Sequence, residues 1–276
     1  MSNITNLLPT VKIAGANVSR LIIGGNPFSG NSHVNAALDA EMNDYFTAEN
    51  IKKTLRDCAA NGVNTMQLRS DRHIIRVIRE LRNEGVELNW IAQSCPEILY
   101  ESNIMNAAAN DPIAIYHHGG AADNLFKEKN YGELKRRLAV IRATGKPVGL
   151  CSHMPELIYY SEEQGWDVDF YMTCVYNLSL QPKLSSAITG VANENERFED
   201  EDKPLMYKAI RAAKKPCLAF KILGATRNCA TPQTVEAAFR EAFDNIKPTD
   251  AVVVGMFPKY SDQVKANADI VRKLLV

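Results

Sequence analysis

Two kinds of pattern are missing from this sequence: closely spaced cysteine pairs and long apolar runs. Its six cysteines are scattered, and none forms a C-x-x-C pair. This spacing argues against a disulfide framework and against a structural zinc cluster. No stretch approaches about 18 consecutive apolar residues, and the first residues lack the basic and then apolar pattern of a secretion signal. We therefore expect a cytoplasmic protein with reduced thiols and no membrane partner.

An excess of charge of either sign is also missing. The 276 residues include 32 Lys and Arg and 32 Asp and Glu, with no basic stripe among them. Proteins that bind nucleic acids usually carry such a stripe. We therefore expect a small-molecule substrate rather than a nucleic-acid partner, and the sequence leaves the oligomeric state open.

What the sequence does have is a regular alternation of short apolar runs with longer stretches of helical period. The runs that predict strands are Leu21–Gly25, Thr65–Leu68, Trp90–Gln93, Ile113–Tyr116, Val148–Cys151, Phe170–Cys174, Cys217–Lys221 and Ala251–Val254. The stretches that predict helices include Ala48–Ala60, Arg72–Glu84, Gly132–Thr144, Pro204–Ala213, Thr234–Phe243 and Asp262–Leu275. Eight such units favour an α/β fold, a single (β/α)8 TIM barrel over residues 1–276, since such a barrel needs about 250 residues. An open doubly wound sheet is the alternative.

Two connections are longer than is usual in βα units. One spans residues 25–46 after the first strand, and the other spans 177–203 after the sixth, with an acidic run at 194–202. Both should emerge at the carboxyl ends of the strands, where barrel enzymes carry their active sites. The acidic run is interpreted either as a solvated loop or as a lid over the pocket.

Several segments, in order, resemble the aldo-keto reductase superfamily. Residues 11–25 (VKIAGANVSRLIIGG) are similar to its N-terminal hairpin and first strand, 59–65 (AANGVNT) to its second strand, and 145–153 (GKPVGLCSH) to its fifth. Residues 175–178 (VYNL) resemble the end of its sixth strand. The resemblance implies a divergent member of this NAD(P)-linked oxidoreductase superfamily, with a hairpin over residues 8–20 that plugs the bottom of the barrel.

The resemblance also implies which family residues are kept. The family's catalytic set is an aspartate, a tyrosine, a lysine and a histidine. Here Gln67 stands at the aspartate position, Gln93 or Ser94 at the lysine position, and His117 or His118 at the histidine position. In the family the tyrosine donates the proton and the lysine lowers its pKa. Most of the reductase machinery is therefore missing.

On the cofactor side the resemblance implies a weakened NADP site. Gln263 and Asn267 resemble the helix that carries the cofactor phosphate in the family, and Lys259 is one lysine where the family often has several basic or hydroxyl groups. NADP therefore remains an expectation from resemblance, with Lys259, Gln263 and Asn267 as its binding residues.

Histidines follow several of the predicted strands. Because side chains from separate strand ends converge over a barrel mouth, His33, His117 and His153 are predicted to bind a divalent metal such as zinc. The alternative is that the histidines act as general acid and base without a metal. Adjacent residues of a strand face opposite sides, so the sequence does not tell which of His117 and His118 points inward.

Other polar residues near strand ends complete the predicted site. Arg69 is suited to clamping a carboxylate or phosphate or to closing a salt bridge. Lys221 is suited to forming a Schiff base or to pairing with an acidic group. Asp71 is a helix cap or a carboxylate of the site. The predicted catalytic residues are His117, His118, His153, Gln67, Arg69 and Lys221. The predicted substrate-binding residues are Asn26, Asp71, Gln93 and Tyr176.

These residues predict an enzyme that acts on a small carbonyl or polyhydroxy, sugar-like compound. Histidine acid–base chemistry, assisted by a divalent metal, is the expected mechanism. One alternative is an NADP-dependent reductase in which His117 or His118 replaces the tyrosine acid. Another is a non-catalytic barrel that binds a small ligand.

Overall fold

Eight parallel strands close into a barrel in the computed structural model, which describes residues 7–181, 186–192 and 194–275. A hairpin precedes the barrel, made of β1 (Thr10–Ile13) and β2 (Ala16–Ser19). The barrel strands are β3 (Leu21–Gly24), β4 (Thr65–Arg69), β5 (Asn89–Gln93), β6 (Ala114–His117), β7 (Val148–Ser152), β8 (Phe170–Cys174), β9 (Cys217–Phe220) and β10 (Ala251–Gly255). They pair in chain order, and β10 pairs with β3. The predicted TIM barrel is confirmed, and the alternative of an open sheet is wrong.

Helices surround the barrel. They are α1 (Ala36–Tyr45), α2 (Ala48–Ala60), α3 (Arg72–Asn83), α4 (Tyr100–Ala108), α5 (Gly119–Lys127), α6 (Tyr131–Arg142), α7 (Pro155–Glu163), α8 (Ser186–Thr189), α9 (Asp202–Ala212), α10 (Pro232–Asn245) and α11 (Gln263–Leu275). Thr47 and Asp71 cap α2 and α3 by accepting backbone hydrogen bonds, as their positions before the helical stretches indicate. Since α1 lies within residues 25–46, that predicted long connection is partly helical. Within the described ranges, no helix combines the length and apolar character needed to span a bilayer.

Side chains alternate between the two faces of each barrel strand. On β6, Ile115 belongs to the apolar layer between strands and helices, whereas Ala114 and Tyr116 belong to the cluster inside the barrel. Gly149 makes room in that interior, because a Cβ there would lie 2.6 Å from Tyr116 Cβ and 2.4 Å from Phe170 Cζ. The barrel is therefore filled by side chains rather than hollow.

The hairpin closes the amino end of the barrel. Ile13 and Val18 are fully buried and belong to the same apolar cluster as the interior strand residues. Its strands pair antiparallel, with Ile13 opposite Ala16 across the turn. The predicted N-terminal hairpin is confirmed, with its strands at Thr10–Ile13 and Ala16–Ser19, and the carboxyl ends of the barrel strands are left as the side on which a ligand can enter.

Candidate active site

A cavity of about 880 Å³ opens at the carboxyl ends of the barrel strands. Interior side chains such as Tyr116, Met172 and Val253 form its floor. Its walls come from the loops after the strands, and the two long connections contribute His33 and Glu196. A cavity of this size, largely apolar with a few convergent polar groups, is typical of small-molecule sites.

The adjacent histidines at the end of β6 face opposite sides of the barrel wall. His118 lines the cavity. His117 lies behind the wall, with its ring 5.2 Å from the ring of Tyr100 on α4 and its Nδ1 3.4 Å from Ser94 Oγ. Strand alternation explains the difference, because Tyr116 points inward and the next residue must therefore point outward. The structure thus corrects the predicted roles of His117 in catalysis and metal binding, and assigns the cavity position to His118.

His118 is held as a neutral imidazole with a defined tautomer. Its Nδ1 accepts a hydrogen bond of 3.3 Å from the backbone N–H of Ala121 in the first turn of α5. An accepting Nδ1 leaves the proton on Nε2, and no hydrogen bond joins this Nε2 to another described residue. Burial, followed by electrostatic effects of His153, Arg69 and Lys221, lowers the pKa of His118 to about 3. At neutral pH it therefore presents an N–H donor.

His153 and Asp123 form a buried dyad in the cavity wall. His153 follows β7, and its Nδ1 lies 2.7 Å from Asp123 Oδ2 on α5. The Asp123 side chain is 2% exposed and also accepts a hydrogen bond of 2.6 Å from Ser152 Oγ. An ionised carboxylate only accepts, so Nδ1 carries the proton and Nε2 is left as a base. The absence of a side chain at Gly119 makes room for the imidazole, because a Cβ there would lie 3.1 Å from His153 Cε1.

Two cationic side chains border these histidines. Lys221 follows β9 with a left-handed backbone, φ 63°, and lines the cavity with its Nζ 5.4 Å from the ring centroid of Phe198. Arg69, at the end of β4, also lines the cavity and donates to the carboxylates of Asp71 and Glu97. Positive charge is therefore present on two sides of the cavity, with that of Arg69 balanced by two acidic partners.

The acidic run is only partly solvated. Residues 199–201 are exposed, whereas residues 196–198 are half-buried and Glu196 lines the cavity. The Glu196 side chain is 5% exposed, and its Oε2 lies 2.6 Å from His33 Nδ1. The ring of Phe198 packs against Arg227, whose guanidinium carbon is 3.9 Å from the ring centroid. The described part of this connection therefore contributes to the cavity wall, while positions 182–185 and 193 lie outside the described residues.

The structure brings most of the other predicted residues to the cavity. Those lining it are Asn26, Gln67, Gln93, Gln263 and Asn267. Asp71 instead caps α3. Tyr176 is buried against Phe198, with ring centroids 5.0 Å apart. Lys259 pairs with Glu41 at 2.7 Å. These three residues do not line the cavity. Their side chains contact other parts of the protein, and not the predicted substrate or cofactor position.

The predicted metal ligands are not brought together. His117 lies behind the barrel wall, and the Nδ1 atoms of His33 and His153 are each bonded to a carboxylate. In the part of the chain that the structure describes, no group of three His, Cys, Asp or Glu side chains is arranged to hold a metal ion. The predicted ligands therefore do not fit a zinc ion.

The cavity continues from the histidines towards the amino ends of α10 and α11. Thr231, Gln263 and Asn267 line this part. The Oε1 atom of Gln263 accepts a hydrogen bond of 2.8 Å from the Phe257 N–H, which orients its amide. Helix amino ends favour anions, but the ammonium of Lys259 is directed to Glu41. The predicted cofactor region is therefore a space with polar walls whose predicted basic residue is engaged elsewhere.

Sequence reasoning missed the two carboxylates that orient the histidines. Asp123 lies inside α5, and Glu196 is one of several acidic residues in the run at 194–202. They are separated from their histidines by 30 and 163 positions. A functional histidine is expected to have a carboxylate or carbonyl partner, but no local pattern identifies which residue supplies it.

No protein-family profile matches the sequence, and no curated protein matches it. Solved structures match through the fold. One is a truncated form of 3-deoxy-D-arabino-heptulosonate 7-phosphate synthase from Thermotoga maritima, 13% identical, with TM-score 0.55 over 99% of this chain and 92% of that chain. Another is the glycerol dehydrogenase AKR11B4 from Gluconobacter oxydans, 11% identical, with TM-score 0.58 over 97% and 90%. A third is dihydropteroate synthase from Xanthomonas albilineans, 14% identical, with TM-score 0.53 over 96% of each chain. At these identities the likeness shows the TIM-barrel fold and does not single out the aldo-keto reductases.

Proposed function

We propose that this barrel is an enzyme that transfers a proton at a carbon next to the carbonyl group of a small polyhydroxy compound. One observation carries the proposal. A histidine oriented by a buried carboxylate, His153 with Asp123, lines the same cavity as His118, a neutral histidine that presents an N–H donor. A base and an electrophilic donor are the two groups that enolisation needs.

The proposed step begins with His153. Its Nε2 takes the proton from the carbon next to the carbonyl, and the electron pair of that C–H bond forms the carbon–carbon double bond. The carbonyl π electrons move onto the oxygen, which accepts a hydrogen bond from His118 Nε2–H. Return of the proton from His153 to the same carbon restores the substrate, with its hydrogen exchanged once His153 has exchanged its proton with solvent. If His118 Nε2 instead gives its proton to the former carbonyl oxygen and takes up the proton of the neighbouring hydroxyl, return of the proton from His153 to the former carbonyl carbon yields an isomer.

The surroundings of the histidines support this assignment. Burial keeps His118 neutral at pH 7. Its Nε2–H is therefore a fixed, uncharged hydrogen-bond donor for the substrate oxygen. The positive charge of Lys221 lies close enough to affect the pKa of both His33 and His118, and would also stabilise a developing oxyanion. The names of two barrels of similar fold, a glycerol dehydrogenase and a heptulosonate phosphate synthase, concern polyhydroxy compounds.

Solvent exchange tests the proposal without knowledge of the natural substrate. A panel of dihydroxyacetone, glyceraldehyde and common ketoses is incubated in D2O, and loss of the C–H signal beside the carbonyl is followed by proton NMR. We expect exchange with at least one compound, and a fall of about 100-fold or more in His153→Gln. His73→Gln is the matched control, because His73 is exposed on α3. Exchange that never exceeds the protein-free rate, or that His153→Gln leaves intact, would overturn the proposal.

A second candidate is an aldo-keto-reductase-like, NADP-dependent oxidoreductase with His118 as its proton donor. The observation that favours it is the continuation of the cavity to Gln263 and Asn267, the positions expected to hold the cofactor. A fluorescence titration with NADPH decides between the two. Saturable binding supports the reductase, whereas no binding at saturating NADPH excludes it. If neither exchange nor NADPH binding is seen, the non-catalytic ligand-binding barrel is the remaining interpretation.

A further inference from the structure

Three side chains form a hydrogen-bonded series from the acidic run to the cavity. Glu196 Oε2 lies 2.6 Å from His33 Nδ1, and His33 Nε2 lies 3.0 Å from Asn26 Nδ2. The Glu196 side chain is almost completely buried, and that of His33 is 15% exposed. All three residues line the cavity. None of these contacts is used by the proton transfer proposed above.

The chemistry of Glu196 determines the orientation of the other two groups. An ionised carboxylate only accepts hydrogen bonds, so His33 must carry its proton on Nδ1. Burial, followed by the charge of Lys221, lowers the pKa of His33 to about 4 despite the carboxylate, so the ring is neutral at pH 7. Its Nε2 is then an acceptor, and only the amide nitrogen of Asn26 can face it. The Asn26 orientation therefore follows from bonding requirements and not only from the placed atoms.

This arrangement leaves the amide oxygen of Asn26 available to accept a hydrogen bond. It accepts no hydrogen bond from the described residues, and it is not buried, while Asn26 lines the cavity. We propose that Glu196, through His33, holds the Asn26 carboxamide so that its oxygen accepts a hydrogen bond from a hydroxyl group of the substrate. The inference deepens the proposed function and rests on it for the choice of ligand: the position selects a hydroxyl donor and disfavours a carboxylate or a carbonyl.

The hydrogen-bonded series also connects Asn26 to the acidic run at residues 194–202. Glu196 reaches His33 from a connection that is 163 positions away in the chain. Phe198, two residues later, is anchored on Arg227. His33 itself has a left-handed backbone with φ 60°, a conformation that is uncommon outside glycine but enriched for Asn, Asp and His. The orientation of the Asn26 amide therefore depends on the contact between Glu196 of the acidic run and His33.

The first test reads the His33 tautomer directly and needs no substrate. Long-range proton–nitrogen correlation spectra of histidine-labelled protein distinguish Nδ1–H from Nε2–H, and the loss of signals in His33→Gln assigns them. We expect the Nδ1–H form in the wild type and in Glu196→Gln, whose amide oxygen still accepts. In Glu196→Ala we expect a shift to the Nε2–H form or a mixture. An unchanged Nδ1–H tautomer in Glu196→Ala would overturn the series.

The second test measures the hydroxyl preference by NMR titration with dihydroxyacetone and with acetone, its analogue without hydroxyl groups. We expect dihydroxyacetone to bind more tightly than acetone in the wild type. In Asn26→Ala the ratio of the two dissociation constants should fall by about tenfold. Asn31→Ala is the matched control, because Asn31 also lines the cavity but its Oδ1 already accepts a hydrogen bond of 2.8 Å from Ser186 Oγ.

The outcomes separate the two proposals. Equal affinities in the wild type, a preference that survives in Asn26→Ala, or no binding of dihydroxyacetone up to its solubility limit would each overturn the hydroxyl acceptor. None of these readouts depends on turnover. Failure of the solvent-exchange assay therefore removes the proton-transfer proposal while leaving the tautomer and the hydroxyl preference to be judged by themselves.

Discussion

Two histidine–carboxylate pairs stand in one cavity, and they are anchored in different ways. His153 and Asp123 lie 2.7 Å apart, and both belong to the barrel framework, at the end of β7 and within α5. His33 and Glu196 lie 2.6 Å apart, and both belong to long connections. The bonds are alike in length, but only the first pair has a member within regular secondary structure, Asp123 in α5.

The difference in anchoring suggests a division of labour. Asp123 receives further hydrogen bonds from Ser152 Oγ and from the His153 backbone N–H, so its carboxylate stays in place whatever the loops do. The pair of His33 and Glu196 forms only where two connections meet. A base must be positioned within a fraction of an ångström, whereas a group that recognises the ligand benefits from closing over it. We therefore assign chemistry to the first pair and recognition to the second.

The largest expected effect comes from removing each carboxylate in turn. Asp123→Asn should lower kcat by about 10²- to 10⁴-fold, because the neutral amide no longer stabilises the imidazolium and can hold the wrong tautomer. Glu196→Ala should act mainly on KM, raising it by about tenfold. Initial rates on the best compound of the exchange panel measure both. Equal losses of kcat in the two variants would contradict the division.

A smaller effect should follow from crowding the framework pair. In Gly119→Ala the new methyl group would lie 2.8 Å from Cys151 Sγ and 3.1 Å from His153 Cε1, and a displaced base should cost about 10- to 100-fold in kcat. Gly132→Ala is the control, since its Cβ meets nothing within 4 Å and alanine favours a helix. A Gly119→Ala enzyme with full kcat would show that the dyad tolerates displacement.

The smallest effect concerns stability in acid. Burial lowers the pKa of His33 to about 4 and that of His117 to about 3. Below about pH 6.5 these histidines bind protons in the unfolded chain but not in the folded protein. The free energy of unfolding therefore falls as the pH is lowered, by up to about 1.4 kcal/mol per pH unit for each histidine. The loss runs from about 6.5 down to the folded pKa values.

The pH dependence of the free energy of unfolding can be used to compare a histidine held by the barrel with one held by the long connections. In urea unfolding between pH 4 and 6.5, His117→Gln should remove one histidine's share of the slope, because His117 is enclosed by the barrel wall and α4. His33→Gln should remove less, since His33 can take up its proton whenever the acidic run lifts from the cavity. Equal reductions would mean that the loop-borne pair is as firmly held as the barrel itself.

Much of the cavity was predictable because its residues follow strands. Asn26, Gln93 and His153 were expected at the carboxyl ends of parallel strands, and all of them line the cavity. The same reasoning failed for Tyr176 and Lys259, which also follow strands. Their side chains are engaged by Phe198 and Glu41, contacts between distant segments that position along a strand does not indicate.

By itself the sequence determined the barrel, its hairpin plug and the face on which the site lies. Short, nearly continuous apolar runs alternating with helical stretches have few ways to bury their apolar faces, and eight such units close a barrel. Only the tertiary structure decided that His118, and not His117, faces the cavity, because both faces of a barrel strand are buried and composition does not distinguish them. The tertiary structure was also needed to identify Asp123 as the partner of His153 and Glu196 as the partner of His33. A hydrogen bond depends on distance in space, and the folding of the barrel brings these residues together although they are far apart in the sequence.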